Sequence, residues 1–279
     1  MSLKKVKKNG EIYELGKGYL LALTPKVILW YLKRIHYLRV FKNVSETTEK
    51  DLKIVRQIVK SGEYVVDIGS NIGIYTAFLS GLVGEEGRVF SIEPVTFTFD
   101  FLRNNVKKTK KGNVVLLNYA ISQSDGELLM EIPKYTTGGE NYYQARICQK
   151  YSKSPHAVEA VQARRLDSLL GGVEKKISFV KCDVEGHELE CIGGASGIIS
   201  QFHPIWLIEI SGNPDEKNSK ASRTFELLES KGYEGFWFDG RFLRKRGKGD
   251  MSVNYFFLTK EHLQKFVKEN EYLTSVLKI

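Results

Sequence analysis

Cysteine is scarce in this chain, with three in 279 residues, and so is proline, with six. Cys148, Cys182 and Cys191 are too few and too irregularly spaced for a disulfide framework or a zinc site built on paired CxxC steps, and they suit a reducing cytoplasm. Long apolar runs are missing as well. None reaches the roughly 20 residues that span a bilayer, and the nearest, YLLALTPKVILWYLKRIHYLRVF at 19–41, is divided by Pro25 and carries Lys26, Lys33, Arg34 and Arg39. That pattern argues against a signal peptide or a membrane-spanning helix. There is no internal repeat, no low-complexity tract and no GxGxxG turn, the last of which argues against a nicotinamide-dependent dehydrogenase.

What is present is ordinary globular material, 42% hydrophobic and 27% charged, with a formal net charge of +9. A basic balance is compatible with an anionic partner, although solubility alone accounts for it. The cations gather at Lys4, Lys5, Lys7 and Lys8, at Lys107, Lys108, Lys110 and Lys111, and at Arg244, Lys245, Arg246 and Lys248. These fall on a tail, a helix end and a hairpin tip, where charge is normally solvated, so a nucleic-acid partner is not the expectation. In 19–41, apolar residues and cations alternate along a helix that is expected to pack on its own domain, with contact to a membrane surface as the alternative.

Periodicity predicts helices over 25–41 and 46–60, the second capped by Ser45, and then a strand at 64–68. A helix near 73–83, a strand at 88–92 and a helix at 96–109 follow. Further strands are predicted at 114–118, 177–182 and 205–210, a helix near 219–231, and a late antiparallel pair near 234–238 and 252–258. Strands alternating with helices mean crossover units, hence a mostly parallel sheet with helices on both faces. We divide the chain into an N-terminal helical extension, 1–60, packed on an α/β domain, 61–279. Between the third and fourth core strands lies an insertion near 127–163, with strands at 127–132 and 158–163 and a tyrosine-bearing loop. An insertion above such a sheet is where an acceptor site is expected.

The stretch VVDIGSNIGIYT at 65–76 joins the first strand to the first crossover helix. In an open α/β sheet, ligands bind beyond the carboxyl ends of the strands where strand order reverses. Gly69 and Gly73 allow close backbone approach, and Asn71 lies between them. Asp67 at the strand end would repel a pyrophosphate but suit a cation. Glu93 ends the next strand 24 residues after Gly69, near the roughly 20-residue interval at which a carboxylate grips a ribose. A cationic, phosphate-free ligand with a ribose fits both demands, and S-adenosyl-L-methionine is such a ligand.

Six blocks in order, VVDIGSNIGIYT, VFSIEP, NYAISQSDGE, RRLDSLL, ISFVKCDVEGHELECIGGA and PIWLIEIS, resemble the FkbM-family methyltransferases, DVEGHE being the most specific. The resemblance implies a class I methyltransferase, a Rossmann-like seven-stranded sheet with the last strand antiparallel. It implies methyl transfer from S-adenosylmethionine to a hydroxyl oxygen of a sugar, a lipid-linked saccharide or a polyketide-like natural product, and we expect a saccharide or other polyhydroxylated metabolite. Carried over, Asp67, Gly69, Asn71 and Gly73 fall on the cofactor turn and Glu93 on the ribose position. Ala120 falls at the adenine edge, and Asp183 beside the cofactor. Where many methyltransferases have Asp or Asn before that alanine, this chain has Tyr119.

The run CDVEGHE at 182–188 crowds four ionisable groups beside Cys182 at a strand end. A hydroxyl must lose its proton as it attacks, and His187 is the side chain whose ordinary pKa suits a base near neutrality. The expected catalytic set is therefore His187 as base, Asp183 to orient it or the acceptor, and Glu185 to bind acceptor hydroxyls. A divalent metal held by Asp183, Glu185, His187 and Glu209 is the alternative to a metal-free site. Tyr142, Tyr143 and Tyr151 are candidates to stack on sugar rings. Two rival readings remain: an RNA or protein methyltransferase on the same fold, and a non-catalytic cofactor-binding scaffold. The NPPY-type loop and paired cysteines of RNA-base enzymes are absent.

Overall fold

The computed structural model describes residues 26–135, 140–148, 157–269 and 277–278. Tyr151 and residues 19–25 of the N-terminal basic stretch lie outside them. Helix α1 (Lys26–Lys42) and the short α2 (Leu52–Ile58) precede the sheet. The first half follows as β1 (Tyr64–Ile68), α3 (Ile74–Val83), β2 (Arg88–Ile92), α4 (Thr96–Thr109) and β3 (Val114–Leu117). After the insertion come α5 (Leu166–Leu170), β8 (Ile177–Cys182), α6 (Glu188–Gly193), α7 (Ser196–Phe202) and β9 (Ile205–Glu209). The chain closes with α8 (Lys220–Glu229), β10 (Tyr233–Phe238), β11 (Leu243–Lys245), β12 (Asn254–Thr259), α9 (Lys260–Glu269) and β13 (Leu277–Lys278).

The main sheet has nine strands in the order β13-β11-β10-β12-β9-β8-β1-β2-β3. The seven from β10 to β3 are the predicted doubly wound sheet, parallel throughout except for β12, which runs against both β9 and β10. The two extra strands extend one edge: the charged DGRFLRKRGKG linker was expected as a plain hairpin tip, and part of it folds back as β11 on β10. Side chains alternate across the pleat. Val65, Val89, Phe179, Leu207 and Phe256 face α2, α3 and α9. Val66, Phe90, Val180, Ile208 and Phe257 face α5 to α8. Strand order reverses between β1 and β8, so the crevice opens at their carboxyl ends.

The insertion builds a second sheet, β4-β7-β5-β6, from Ala120–Ile121, Ala157–Arg164, Gly126–Ile132 and Arg146–Cys148. It packs Met130, Ala145 and Val161 on Val95 and Phe97 at the start of α4, and Glu159 accepts hydrogen bonds from the Thr96 amide and hydroxyl at 3.0 and 2.5 Å. Before α2, the predicted helix start is corrected. Ser45 bonds Thr47 rather than a helix amide, and 45–51 form turns, since Ser, Thr and Asp side chains compete with the helical ladder.

Candidate functional site

The β1 turn depends on Gly69. Its φ is +76°, and a Cβ there would lie 1.8 Å from the Asp183 carbonyl oxygen, so only glycine lets β1 and β8 end side by side. The Gly69 and Ser70 amides donate to the Ile92 carbonyl at 2.9 and 3.0 Å, anchoring the turn to β2. Asp67 is buried and accepts from Thr76 Oγ1 at 2.6 Å. Thr76 and Ser91 share a hydrogen bond at 2.7 Å, and Ser91 donates to Ser70 at 2.8 Å. Burial pushes the Asp67 carboxyl up to about 6, against the Thr76 bond and the nearby Lys181 charge.

Glu93 is fixed as firmly. Its Oε2 accepts from the Asn71 amide at 2.9 Å, and its Oε1 accepts from the Val95 amide at 3.0 Å and Thr98 Oγ1 at 2.7 Å. One carboxylate thus ties the β1 turn to the start of α4. Burial raises it to about 7 in spite of these donors.

The far side of the same cleft has a different character. The cavity, about 410 Å³, is lined there by Glu49, Tyr75, Lys181, Asp183, Glu185 and Glu209, and roofed by Tyr142 and Tyr143. Lys181 is only 2% exposed. Its Nζ lies 3.1 Å from Asp183 Oδ2 and 5.0 Å from the centre of the Tyr75 ring. Asp183, Asp67 and Glu209 outweigh the cost of burial and hold this ammonium above the ordinary lysine pKa. Carboxylate oxygens of Asp183, Glu185 and Glu209 lie within 4.8 Å of one another. Burial, then the Asp183 charge, lifts Glu209 to about 7.

Residues 67–234, more than half of the chain, match the methyltransferase FkbM domain. The chain belongs to the FkbM methyltransferase family. It is similar to the hexuronic acid methyltransferase AglP of Haloferax volcanii, 27% identical over 191 residues that cover 66% of this chain and 73% of AglP. Among solved structures, methyltransferase FkbM from Methylobacillus flagellatus KT is 14% identical with a TM-score of 0.44, over 81% of this chain and 59% of that one. A putative rRNA methylase from Clostridium thermocellum is 13% identical with a TM-score of 0.46, over 77% and 95%.

As an FkbM-family methyltransferase the protein uses S-adenosylmethionine, and the residues present fit it. Asn71 sits in the cleft at a φ of +50°, with its Oδ1 buried and without a protein partner, an acceptor held ready for a donor of the ligand. Asp67, Glu93 and Ala120 line the cleft with it. Tyr119 lines the cleft too, where other methyltransferases carry Asp or Asn. Gly73 does not: a Cβ there would meet Phe41 and Leu102 at 2.6 and 2.7 Å, so this glycine serves the packing of α1 and α4 on the turn.

His187 lines the cleft but departs from the expectation of a free base. Its Nε2 shares a hydrogen bond with Ser122 at 3.0 Å and its Nδ1 lies 3.4 Å from Glu190, and burial lowers its pKa. Both ring nitrogens have protein partners because His187 sits at the start of α6, turned toward β4. It is likewise outside the carboxylate triplet, which Asp183, Glu185 and Glu209 complete on their own. Sequence reasoning missed Glu49, Tyr75 and Lys181. Lys181, two residues before Asp183 in VKCDVEG and inside a buried strand, was the one readable signal. Glu49 and Tyr75 had none, being carried by a turn and a helix that only packing brings to the cleft.

Proposed function

We propose that this methyltransferase transfers its methyl group to a hydroxyl oxygen of a saccharide or similar polyhydroxylated metabolite in the cytoplasm. The observation that carries the reading is the far side of the cleft, where Glu49, Asp183, Glu185 and Glu209 surround one lysine beneath Tyr142 and Tyr143. Carboxylates accept hydrogen bonds from vicinal hydroxyls, and tyrosine rings stack on pyranose faces. A phosphate backbone would meet repulsion there, which weighs against RNA. The AglP similarity supports a sugar acceptor as a class.

In this reading Asp67, Asn71 and Glu93 hold the cofactor, Gly69 lets the turn approach it, and the Ala120 backbone meets the adenine. Bound S-adenosylmethionine supplies a methyl group on a sulfonium sulfur, open to in-line attack. Asp183, fixed by Lys181, orients the acceptor hydroxyl, and Glu185 binds a neighbouring one. Glu209, held near 7 by burial and by Asp183, would accept the hydroxyl proton as the oxygen takes the methyl group and the methyl–sulfur bond breaks, S-adenosylhomocysteine leaving as the neutral thioether. His187 keeps the β8–α6 turn in place through Ser122 and Glu190. The Asp183, Glu185 and Glu209 oxygens are also able to hold a divalent cation, but Lys181 already sets a positive charge on Asp183.

The test uses S-adenosylmethionine labelled in the methyl group, offered with neutral glycosides, hexuronic acids, total RNA and a protein extract. Label on a saccharide oxygen is the expected result. Label only on RNA or protein overturns the acceptor class, and calorimetric binding of S-adenosylhomocysteine with no turnover on any acceptor turns the reading toward a scaffold.

A further inference from the structure

Helix α1 is apolar on both sides. Its inner face packs on the core: Tyr37 meets Phe101 edge-on at 5.0 Å, Phe41 is buried against Gly73, and Arg34 bonds Asn104. Among the described residues nothing covers the outer face. Ile28, Tyr31 and Leu32 are 50%, 63% and 54% exposed, and Ile35 stands beside them in the same stripe. These four occupy i, i+3, i+4 and i+7, and Arg39 and Lys42, at i+11 and i+14, continue the face as exposed cations. Neither cation has an ion pair among the described residues.

An apolar helix face is normally enclosed, and α1 has apolar residues on two faces of which one is enclosed. Charge complementarity selects what covers the other. A second copy of this chain would set its own Arg39 and Lys42 against the same stripe or the same cations, which is unfavourable. A bilayer surface with anionic phospholipid takes both halves of the face, the apolar stripe in the headgroup and acyl boundary and the cations among the phosphates. Lys4, Lys5, Lys7 and Lys8 precede the helix in the chain and add charge of the same sign. No helix among the described residues is long and apolar enough to cross the membrane, so the contact is peripheral.

We propose that the outer face of α1 docks the protein on anionic phospholipid bilayers. The face is joined to the acceptor side of the cleft, since Tyr37 on the inner side of α1 packs against Tyr143 at 6.3 Å. Docking therefore seats the cleft wall close to the lipid surface, where a membrane-borne acceptor would be presented.

Flotation of the full chain with vesicles tests this. Binding to phosphatidylcholine vesicles containing phosphatidylglycerol, its loss on raising salt, and little binding to phosphatidylcholine alone are expected. Ile28→Ser with Leu32→Ser should lower the partition constant at least about tenfold. Arg39→Gln with Lys42→Gln should lower it roughly fivefold per cation. Unchanged S-adenosylhomocysteine affinity and melting temperature confirm that the variants fold. Failure of the full chain to bind, equal binding to neutral vesicles, full binding by the variants, or a dimer that the same substitutions dissolve each overturns the proposal.

Discussion

The two ends of one cleft are built on opposite principles. At the cofactor end, every carboxylate oxygen of Glu93 is met by a donor, and Asp67 belongs to a chain of hydroxyls through Thr76, Ser91 and Ser70. At the end proposed for the acceptor, four carboxylates crowd around one buried ammonium with few hydrogen bonds among them. Fixed polar groups in a dry site recognise a ligand of constant shape, because nothing has to reorganise when it binds. Crowded carboxylates with few fixed donors, Glu209 among them lifted to about 7, are poised instead to exchange protons and hydroxyl partners. In the proposed reading the difference assigns binding to one end of the cleft and chemistry to the other.

That contrast can be broken most completely at Gly69. Gly69→Ala forces a Cβ into the Asp183 carbonyl and should cost about 3 kcal/mol or more in urea unfolding, with loss of cofactor binding. A stable, binding-competent variant would mean that the β1 and β8 ends are free to part. Next in size, Glu209→Gln should lower kcat roughly 10²- to 10⁴-fold while S-adenosylhomocysteine affinity stays put. The wild-type rate should rise as pH passes about 7, where Glu209 loses its proton. A flat profile across that range removes Glu209 as the base.

Glu93→Gln sharpens the cofactor side, and calorimetry should show S-adenosylhomocysteine bound roughly tenfold more weakly. Its pH behaviour follows from linkage. Glu93 is raised from 4.5 to about 7, so the folded state binds this proton more tightly than the unfolded chain does. The associated stability is present below 4.5 and is lost as pH rises through about 7. Melting curves across that range should therefore slope less in Glu93→Gln than in the wild type, and an identical slope would remove the assignment. The smallest effect is expected at His187, where His187→Gln preserves a bond to Ser122 and should cost less than about tenfold in turnover. A loss beyond a hundredfold with cofactor affinity intact would return the base to His187.

Much of this was legible before the structure. Strands 64–68, 88–92 and 177–182 and helix 96–109 begin and end where their apolar patterns do, since burial on one face imposes a period that a reader can count. Asp67, Asn71 and Glu93 were placed on one cleft because each ends a strand or follows one, and Ala120 was placed there by the family resemblance. The misses share a cause. Gly73 and Gly69 have the same sequence signature, yet one meets a carbonyl and the other two side chains from distant helices. Helix α9 was not predicted, and the start of α2 was misjudged where local side-chain bonding, rather than periodicity, sets the boundary.

The order of apolar runs, glycines and strand-end acids by itself determined the doubly wound sheet, the cofactor turn and the class of ligand. These depend on neighbours in sequence and on a connection rule that leaves few alternatives. Tertiary packing alone decided that Glu49 and Lys181 join Asp183, that His187 turns toward Ser122, and that α1 keeps an open face. Those outcomes depend on distances between segments far apart in the chain, and no local pattern records them.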